Sequence, residues 1–321
     1  MVTRQAGPIP VTVIGGFLGA GKTTLVNHIL GGDHELKIAV MVNDFGAINI
    51  DAALITSTEG GLYSLSNGCV CCGMNQGLVE QLEELLSARI DIDHIVIEAS
   101  GVADPARIMD TVRYARFAGR LRGDAIVVLV DAAGFDGAIA AAPGLAEAQV
   151  GSADLLILNK TDLVSRDILD AWHARWAFPD TRTIETTNAR VPFDLLFAGG
   201  FPSRGASSPF AAVPVHEQAE SVTWRHDGPI DAKRLHGVLA ALPARIYRAK
   251  GFVQASDGRL FAVHVVGARV SFEPASHLPE GFDGQSLLVL VGFGRDLPFE
   301  GVLAQLNGCG ALARSGKKGS A

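Results

Sequence analysis

Eight consecutive residues, Gly16-Phe17-Leu18-Gly19-Ala20-Gly21-Lys22-Thr23, carry the pattern of a phosphate-binding loop between an apolar run and a helix-forming stretch. Glycines there let successive backbone N–H groups converge on a phosphate, which also meets the positive end of the helix that follows. Gly16, Gly19, Ala20 and Gly21 are the expected cradle, Lys22 the cation for β- and γ-phosphates, and Thr23 the hydroxyl beside Mg²⁺, with Thr24 next in line. A chance glycine-rich turn is the bland alternative, and the flanking strand and helix patterns argue against it. A second cluster, Cys69, Cys71 and Cys72, puts three soft ligands into four positions between Gly68 and Gly73. Thiolates of this kind favour Zn²⁺, Cu⁺ and, less decisively, Co²⁺. Three sulfurs leave a fourth tetrahedral position for water, a side chain or a receiving protein. Buried structural cysteines, a fixed structural zinc, or a vicinal redox pair at Cys71 and Cys72 stand as alternatives.

Two further segments complete the expected nucleotide site. Asn159-Lys160-Thr161-Asp162 follows an apolar run, and the Asp162 carboxylate can accept hydrogen bonds from the guanine N1–H and exocyclic amine. Adenine does not offer that arrangement, so a site built this way selects GTP over ATP. A capped turn also favours Asn and Asp, so the tetrapeptide gains its meaning from the phosphate loop that precedes it. Glu98-Ala99-Ser100-Gly101 ends another apolar run: Glu98 is expected near Mg²⁺, and the Gly101 amide near the γ-phosphate. The alternative makes Glu98 a strand-end charge and Gly101 a turn residue. No Gln follows Gly101 to orient a water, which implies slow intrinsic hydrolysis. The cysteines lie between Asn43-Asp44-Phe45-Gly46 and Glu98–Gly101, so a γ-phosphate could assemble them and its loss disperse them.

The elements that must position these groups alternate in type. Strand patterns at 11–14, 37–42, 94–98, 125–130 and 155–158 are interleaved with helical patterns at 22–30, 76–89, 105–117 and 166–176. This is α/β order: a mostly parallel sheet flanked by helices, with motifs at the carboxyl ends of strands. Gly, Ser, Pro and Ala then dominate 199–215, read as a linker between a nucleotide-binding domain at 1–198 and a smaller α+β domain at 216–321. In the second domain, strands are expected at 221–225, 245–254, 259–266 and 287–291 and helices at 231–241 and 296–306. Arg314, Lys317 and Lys318 sit in a Gly- and Ser-rich tail expected to be disordered.

Composition excludes some partners. A net charge of −7 argues against nucleic acid, whose phosphates are held by clustered Lys and Arg. The 48% hydrophobic content is dispersed, without a run of about 18 apolar residues that could span a membrane. Residues 1–10 lack an apolar signal core. A cytoplasmic location is the expectation. Four cysteines with three in one cluster are not a disulfide framework. An ATP-dependent small-molecule kinase is disfavoured by Asn159–Asp162 and by the lack of an acceptor-binding motif.

Taken together, residues 15–24, 43–46, 67–72, 98–105 and 159–162 resemble the CobW-type GTPases, metal-handling relatives of the hydrogenase and urease nickel-insertion GTPases. The resemblance continues through Leu242-Pro243 and Tyr247-Arg248-Ala249-Lys250-Gly251, so it spans nearly the whole chain. It implies a GTP-dependent metallochaperone or metal-insertase with a family-specific C-terminal domain, a client metalloprotein or insertion complex as partner, and a second copy of the chain as a candidate partner. Within that family the metal has been cobalt, zinc or iron, and zinc or cobalt is the expectation here. A rival reading is a GTP-controlled assembly switch with a structural zinc. Two departures are visible: Asp44 stands where the family usually has the longer Glu, which puts its role beside the metal in doubt, and the linker lacks the His-rich stretch of many members. His216 and His226 are read as solvated or core residues, His264 as a packing residue, Cys309 as a buried small hydrophobe, and Trp172 with Trp176 as core or domain interface.

Overall fold

The computed structural model describes residues 7–32, 36–43, 74–88, 91–176, 181–197, 219–275, 285–294 and 296–310. The chain divides into two compact units, Met1–Phe197 and Ala198–Ala321.

In the first unit, strands β1 (Ile9–Gly16), β2 (Ile38–Asn43), β3 (His94–Ala99), β4 (Leu121–Asp131), β5 (Leu155–Asn159) and β6 (Arg182–Glu185) form one sheet in the order β2-β3-β1-β4-β5-β6. Every pairing in it is parallel. β3 and β5 are buried along their whole length. Strands covered on both faces have no polar face to alternate with, which is why their sequences read as continuous Val, Ile and Leu. The helices are α1 (Lys22–Leu30), α2 (Met74–Ser87), α3 (Pro105–Val112), α4 (Phe135–Ala141), α5 (Pro143–Gly151), α6 (Arg166–Trp176) and the single turn α7 (Phe193–Leu196). Val11, Val13, Ile95, Ile97, Leu156 and Leu158 anchor the core, and Trp172 and Trp176 join it edge-on to Phe135.

β1 lies at the point where the strand order reverses, with β3 on one side and β4 on the other. Open α/β sheets bind ligands outside the carboxyl ends of strands at such a switch point. The segment leaving β1 is the glycine-rich loop. The expected helix over 105–117 is two pieces: α3 stops at Val112, and a 3₁₀ turn follows at Ala115–Phe117. Asp104 caps α3 by accepting a 2.9 Å bond from Ala106 N, and Pro105 at the first helical position needs no donor partner.

The second unit has strands β7 (Ala219–His226), β8 (Ile246–Gln254), β9 (Leu260–Val266), β10 (Arg269–Pro274) and β11 (Ser286–Phe293), all antiparallel in the order β10-β9-β8-β11-β7. Helices α8 (Ala232–Ala240) and α9 (Phe299–Asn307) bury Leu235, Leu239, Val302 and Leu306 in the same core as Ala249, Val253, Leu288 and Leu290 of the sheet. Alternation along β11, buried at Leu288 and Leu290 and half-buried at Leu287 and Val289, marks a sheet with helices on one face. Trp224 Nε1 donates to Asn307 Oδ1 at 2.8 Å, tying β7 to the end of α9. His226 stacks on Trp224, and Cys309 is buried in this core, where burial pushes its thiol up.

Candidate functional site

The glycine-rich loop turns through left-handed conformations at Gly16, Gly19 and Gly21 (φ 130°, 77° and 105°). At Gly16 the requirement is absolute: a Cβ would lie 2.2 Å from the Leu129 carbonyl oxygen of β4. Ala20 N donates back to Phe17 O at 3.2 Å, closing the loop, and α1 starts directly after Gly21. No acidic side chain occupies the first turn of α1, so its positive end faces the loop uncompensated from within the helix. Lys22 Nζ donates to Phe17 O at 3.2 Å, which places the ammonium over the loop. Thr24 is exposed on the first turn.

Thr23 and Glu98 meet from different elements. Glu98, 3% exposed at the end of β3, accepts a 2.9 Å hydrogen bond at Oε1 from Thr23 Oγ1 of α1. A buried carboxylate is costly without compensating positive charge or donors. A hydroxyl and a carboxylate at this spot form a hard-oxygen donor set of the type Mg²⁺ accepts, so the residues present fit that ion. Gly101, two residues beyond β3, touches the phosphate loop. A Cβ there would lie 2.8 Å from Leu18 N and 2.5 Å from the Leu18 side chain.

Asn159, 2% exposed at the end of β5, joins three segments. Its Nδ2 donates to Ala20 O of the phosphate loop at 2.9 Å, and its Oδ1 accepts from Ala189 N at 2.9 Å. Its own carbonyl accepts from Ala132 N at 2.9 Å. Lys160 adopts a left-handed conformation (φ 60°) and pairs through Nζ with Asp131 Oδ2 at 2.6 Å. Asp131 also accepts at Oδ1 from Ala133 N and Gly134 N, so one carboxylate fixes both the Lys160 head and the turn into α4. Thr161 Oγ1 donates to Thr186 O at 3.1 Å, closing the segment against the loop after β6. Asp162 is exposed beside these anchored residues.

The described residues singled out from sequence for the nucleotide site thus lie together at the carboxyl ends of β1, β3 and β5. Cys69, Cys71, Cys72 and Asp44 lie outside the described residues. Among the described residues, no group of three or more His, Cys, Asp or Glu is gathered to hold a metal ion. Three contributors were not anticipated from sequence: Asp131, the Thr186–Ala189 loop with Asn188 and Ala189 both left-handed (φ 53° and 52°), and Gln149. Only Asp131 left a trace, as an acidic residue ending an apolar run just before a turn.

A phosphate loop at the switch point of a parallel sheet, with Thr23, Glu98 and Asn159 converging on it, defines a P-loop nucleotide-binding protein. Residues 10–178 match the family model described as CobW/HypB/UreG, nucleotide-binding domain, and residues 219–310 match that of the cobalamin synthesis protein cobW C-terminal domain. The first match covers more than half of the chain, and the chain belongs to the CobW/HypB/UreG family.

Among similar proteins, the zinc chaperone YjiA of Escherichia coli (strain K12) is 37% identical over 197 residues, 59% of this chain and 61% of that one. The zinc chaperone CobW of Sinorhizobium sp is 30% identical over 325 residues, 84% of this chain and 89% of that one. The zinc-regulated GTPase metalloprotein activator 1 of Dictyostelium discoideum is 29% identical over 298 residues, 76% of this chain and 62% of that one. The chain thus spans about three-fifths of the length of the first of these relatives. A solved structure of Zn(II)-bound YjiA GTPase from E. coli is 28% identical, with a TM-score of 0.46 over 95% of this chain and 99% of that one. Among the described residues, no helix is long and apolar enough to cross a membrane.

Proposed function

We propose that this chain is a GTPase that works as a metallochaperone: it binds zinc or cobalt at Cys69, Cys71 and Cys72 when GTP is bound, and yields the ion to a client protein after hydrolysis. The observation that carries the nucleotide half is the Asn159 side chain. It fixes the phosphate loop to the loop after β6 and leaves Asp162, three residues on, exposed to receive a base. Names of relatives as zinc chaperones and as a zinc-regulated GTPase support the metal half.

In this reading the backbone N–H groups of 16–21 and the Lys22 ammonium bind the β- and γ-phosphates. Thr23 and Glu98 would hold Mg²⁺, which would supply positive charge against the phosphates. Asp162 accepts from the guanine N1–H and amine, and Lys160, held by Asp131, lies along the same loop. Gly101 N–H reports the γ-phosphate. Hydrolysis without a partner is slow, because no Gln follows Gly101 to orient an attacking water.

The test is competition for a fluorescent GTP analogue with Mg²⁺ present, followed by single-turnover hydrolysis. GTP and GDP displace the probe, ATP does not, and phosphate release takes minutes. Displacement by ATP as readily as by GTP contradicts guanine selectivity, and turnover of many per second by the chain alone contradicts the slow-hydrolysis reading.

A further inference from the structure

Residues 100–104 connect the end of β3 to α3, and they are held from two directions. On one side Gly101 abuts Leu18 of the phosphate loop so closely that only a glycine fits. On the other stands Gln149 of α5, 2% exposed. Its Nε2 lies 2.8 Å from Ala103 O and 3.3 Å from Gly101 O, so both amide hydrogens go to the carbonyls on either side of Val102. Ala103 N donates to Ser100 O at 2.9 Å and completes the turn. Val102 itself points outward and is 51% exposed.

A glycine-containing turn with an exposed tip has many conformations of similar energy, and ordering it costs conformational entropy. Gln149 offsets that cost before any ligand arrives. Two donors on one buried, rigidly placed amide select the arrangement in which Gly101 lies against the phosphate loop. Gln149 sits 51 positions after Glu98 in sequence and belongs to none of the segments that form the nucleotide site. Among the described residues, its side-chain amide reaches across to these two carbonyls.

We propose that Gln149 is a positioning residue for the terminal phosphate: by holding the Gly101 and Ala103 carbonyls it keeps the Gly101 segment in the γ-phosphate-competent arrangement, and so sets the preference for GTP over GDP. This rests on the GTP reading given above. A ligand that needs a particular arrangement binds more weakly in proportion to the fraction of molecules lacking it, whereas a ligand indifferent to the segment is unaffected. GDP has no atom at the γ position and belongs to the second class.

The experiment uses the full chain with Mg²⁺ and measures affinities for a non-hydrolysable GTP analogue and for GDP in the wild type, Gln149→Met and Gln149→Glu. Methionine keeps the volume and removes both donors; glutamate keeps the shape and faces two carbonyl oxygens with acceptors only. The expected result is an analogue affinity about 10-fold weaker in both variants, with GDP affinity within about 2-fold of wild type. Parallel losses for the two nucleotides, or no loss for either in Gln149→Met, overturn the proposal. If Gln149→Glu does not fold, the near-isosteric Gln149→Met decides alone. Should the wild type bind neither guanine nucleotide, the GTP reading itself is what fails.

Discussion

Within one tetrapeptide, Asn159 and Asp162 have different work. Asp162 is exposed, and in the proposed reading its carboxylate receives the base, so exchanging one of its acceptors for a donor has a defined consequence. Asp162→Asn presents an N–H where guanine also has one, but where xanthine has a carbonyl. The variant is therefore expected to lose at least about 10-fold in GTP affinity and to recover affinity for xanthosine triphosphate, read by competition with the same probe. Asn159 braces the phosphate loop against the loop after β6. Asn159→Ala leaves Ala20 O and Ala189 N without this partner in a buried setting, at about 1–3 kcal/mol for each group. Its melting temperature should fall together with affinity for both GTP and GDP; a stable variant with normal affinities would contradict the bracing role. Cys309 belongs to the other unit's core, where its thiol is pushed up by burial and is correspondingly unreactive. Cys309→Ser is expected to leave metal stoichiometry unchanged, as counted by a chromophoric chelator.

Elements were legible from sequence to the degree that their apolar pattern was strong. The buried parallel strands β1 to β5 stand out as Val- and Ile-rich runs, and the glycine-rich loop and Asp104-Pro105 mark two helix starts. β6 does not stand out: its four residues begin with Arg182 and end with Glu185, and it gains its place only by pairing with β5. β10 at the sheet edge is half-exposed throughout most of its length, so no apolar face advertises it. α4 and α5 are rich in Ala and Gly, without the apolar stripe of an amphipathic helix, and sequence pattern passes over them. Gln149 was invisible for the same reason, since one Gln in an Ala-rich stretch gains meaning only from the two carbonyls it meets. Thr186 and Ala189 are parts of the site that tertiary contact alone reveals, and Asp131 showed in sequence only as an acidic residue ending an apolar run. At this scale Asp231 offers a clean check, because its side chain caps α8 by accepting from Lys233 N and Arg234 N, both at 3.0 Å. Asp231→Ala should destabilise the second unit by about 1 kcal/mol in urea unfolding, with guanine nucleotide affinity unchanged.

At the scale of the whole molecule, the proposed function is a linkage between a nucleotide and an ion. An energetic coupling between two ligands is reciprocal: if GTP tightens the grip of the thiolates, the ion tightens the grip on GTP by the same factor. In the proposed function Glu98 and the Gly101 segment stand on the nucleotide side of that coupling; they contact Thr23, Leu18 and Gln149. The Cys69–Cys72 segment lies in sequence between β2 and β3, the two strands that lead into the proposed phosphate sensors. A switch from 99% loaded to 99% empty at fixed free metal requires about a 10⁴-fold change in affinity. A coupling far below that makes a sensor, and none at all makes an assembly switch with a permanent zinc.

The deciding measurement is a competition titration of Zn²⁺ and Co²⁺ against a calibrated chelator, with Mg²⁺ and either a non-hydrolysable GTP analogue or GDP. Wild type is compared with Cys69→Ser/Cys71→Ser/Cys72→Ser. The account predicts metal affinity about 10⁴-fold higher with the analogue than with GDP, and no such difference once the three thiols are gone. Equal affinities in the two nucleotide states, or a nucleotide-dependent difference that survives in the triple variant, would contradict it.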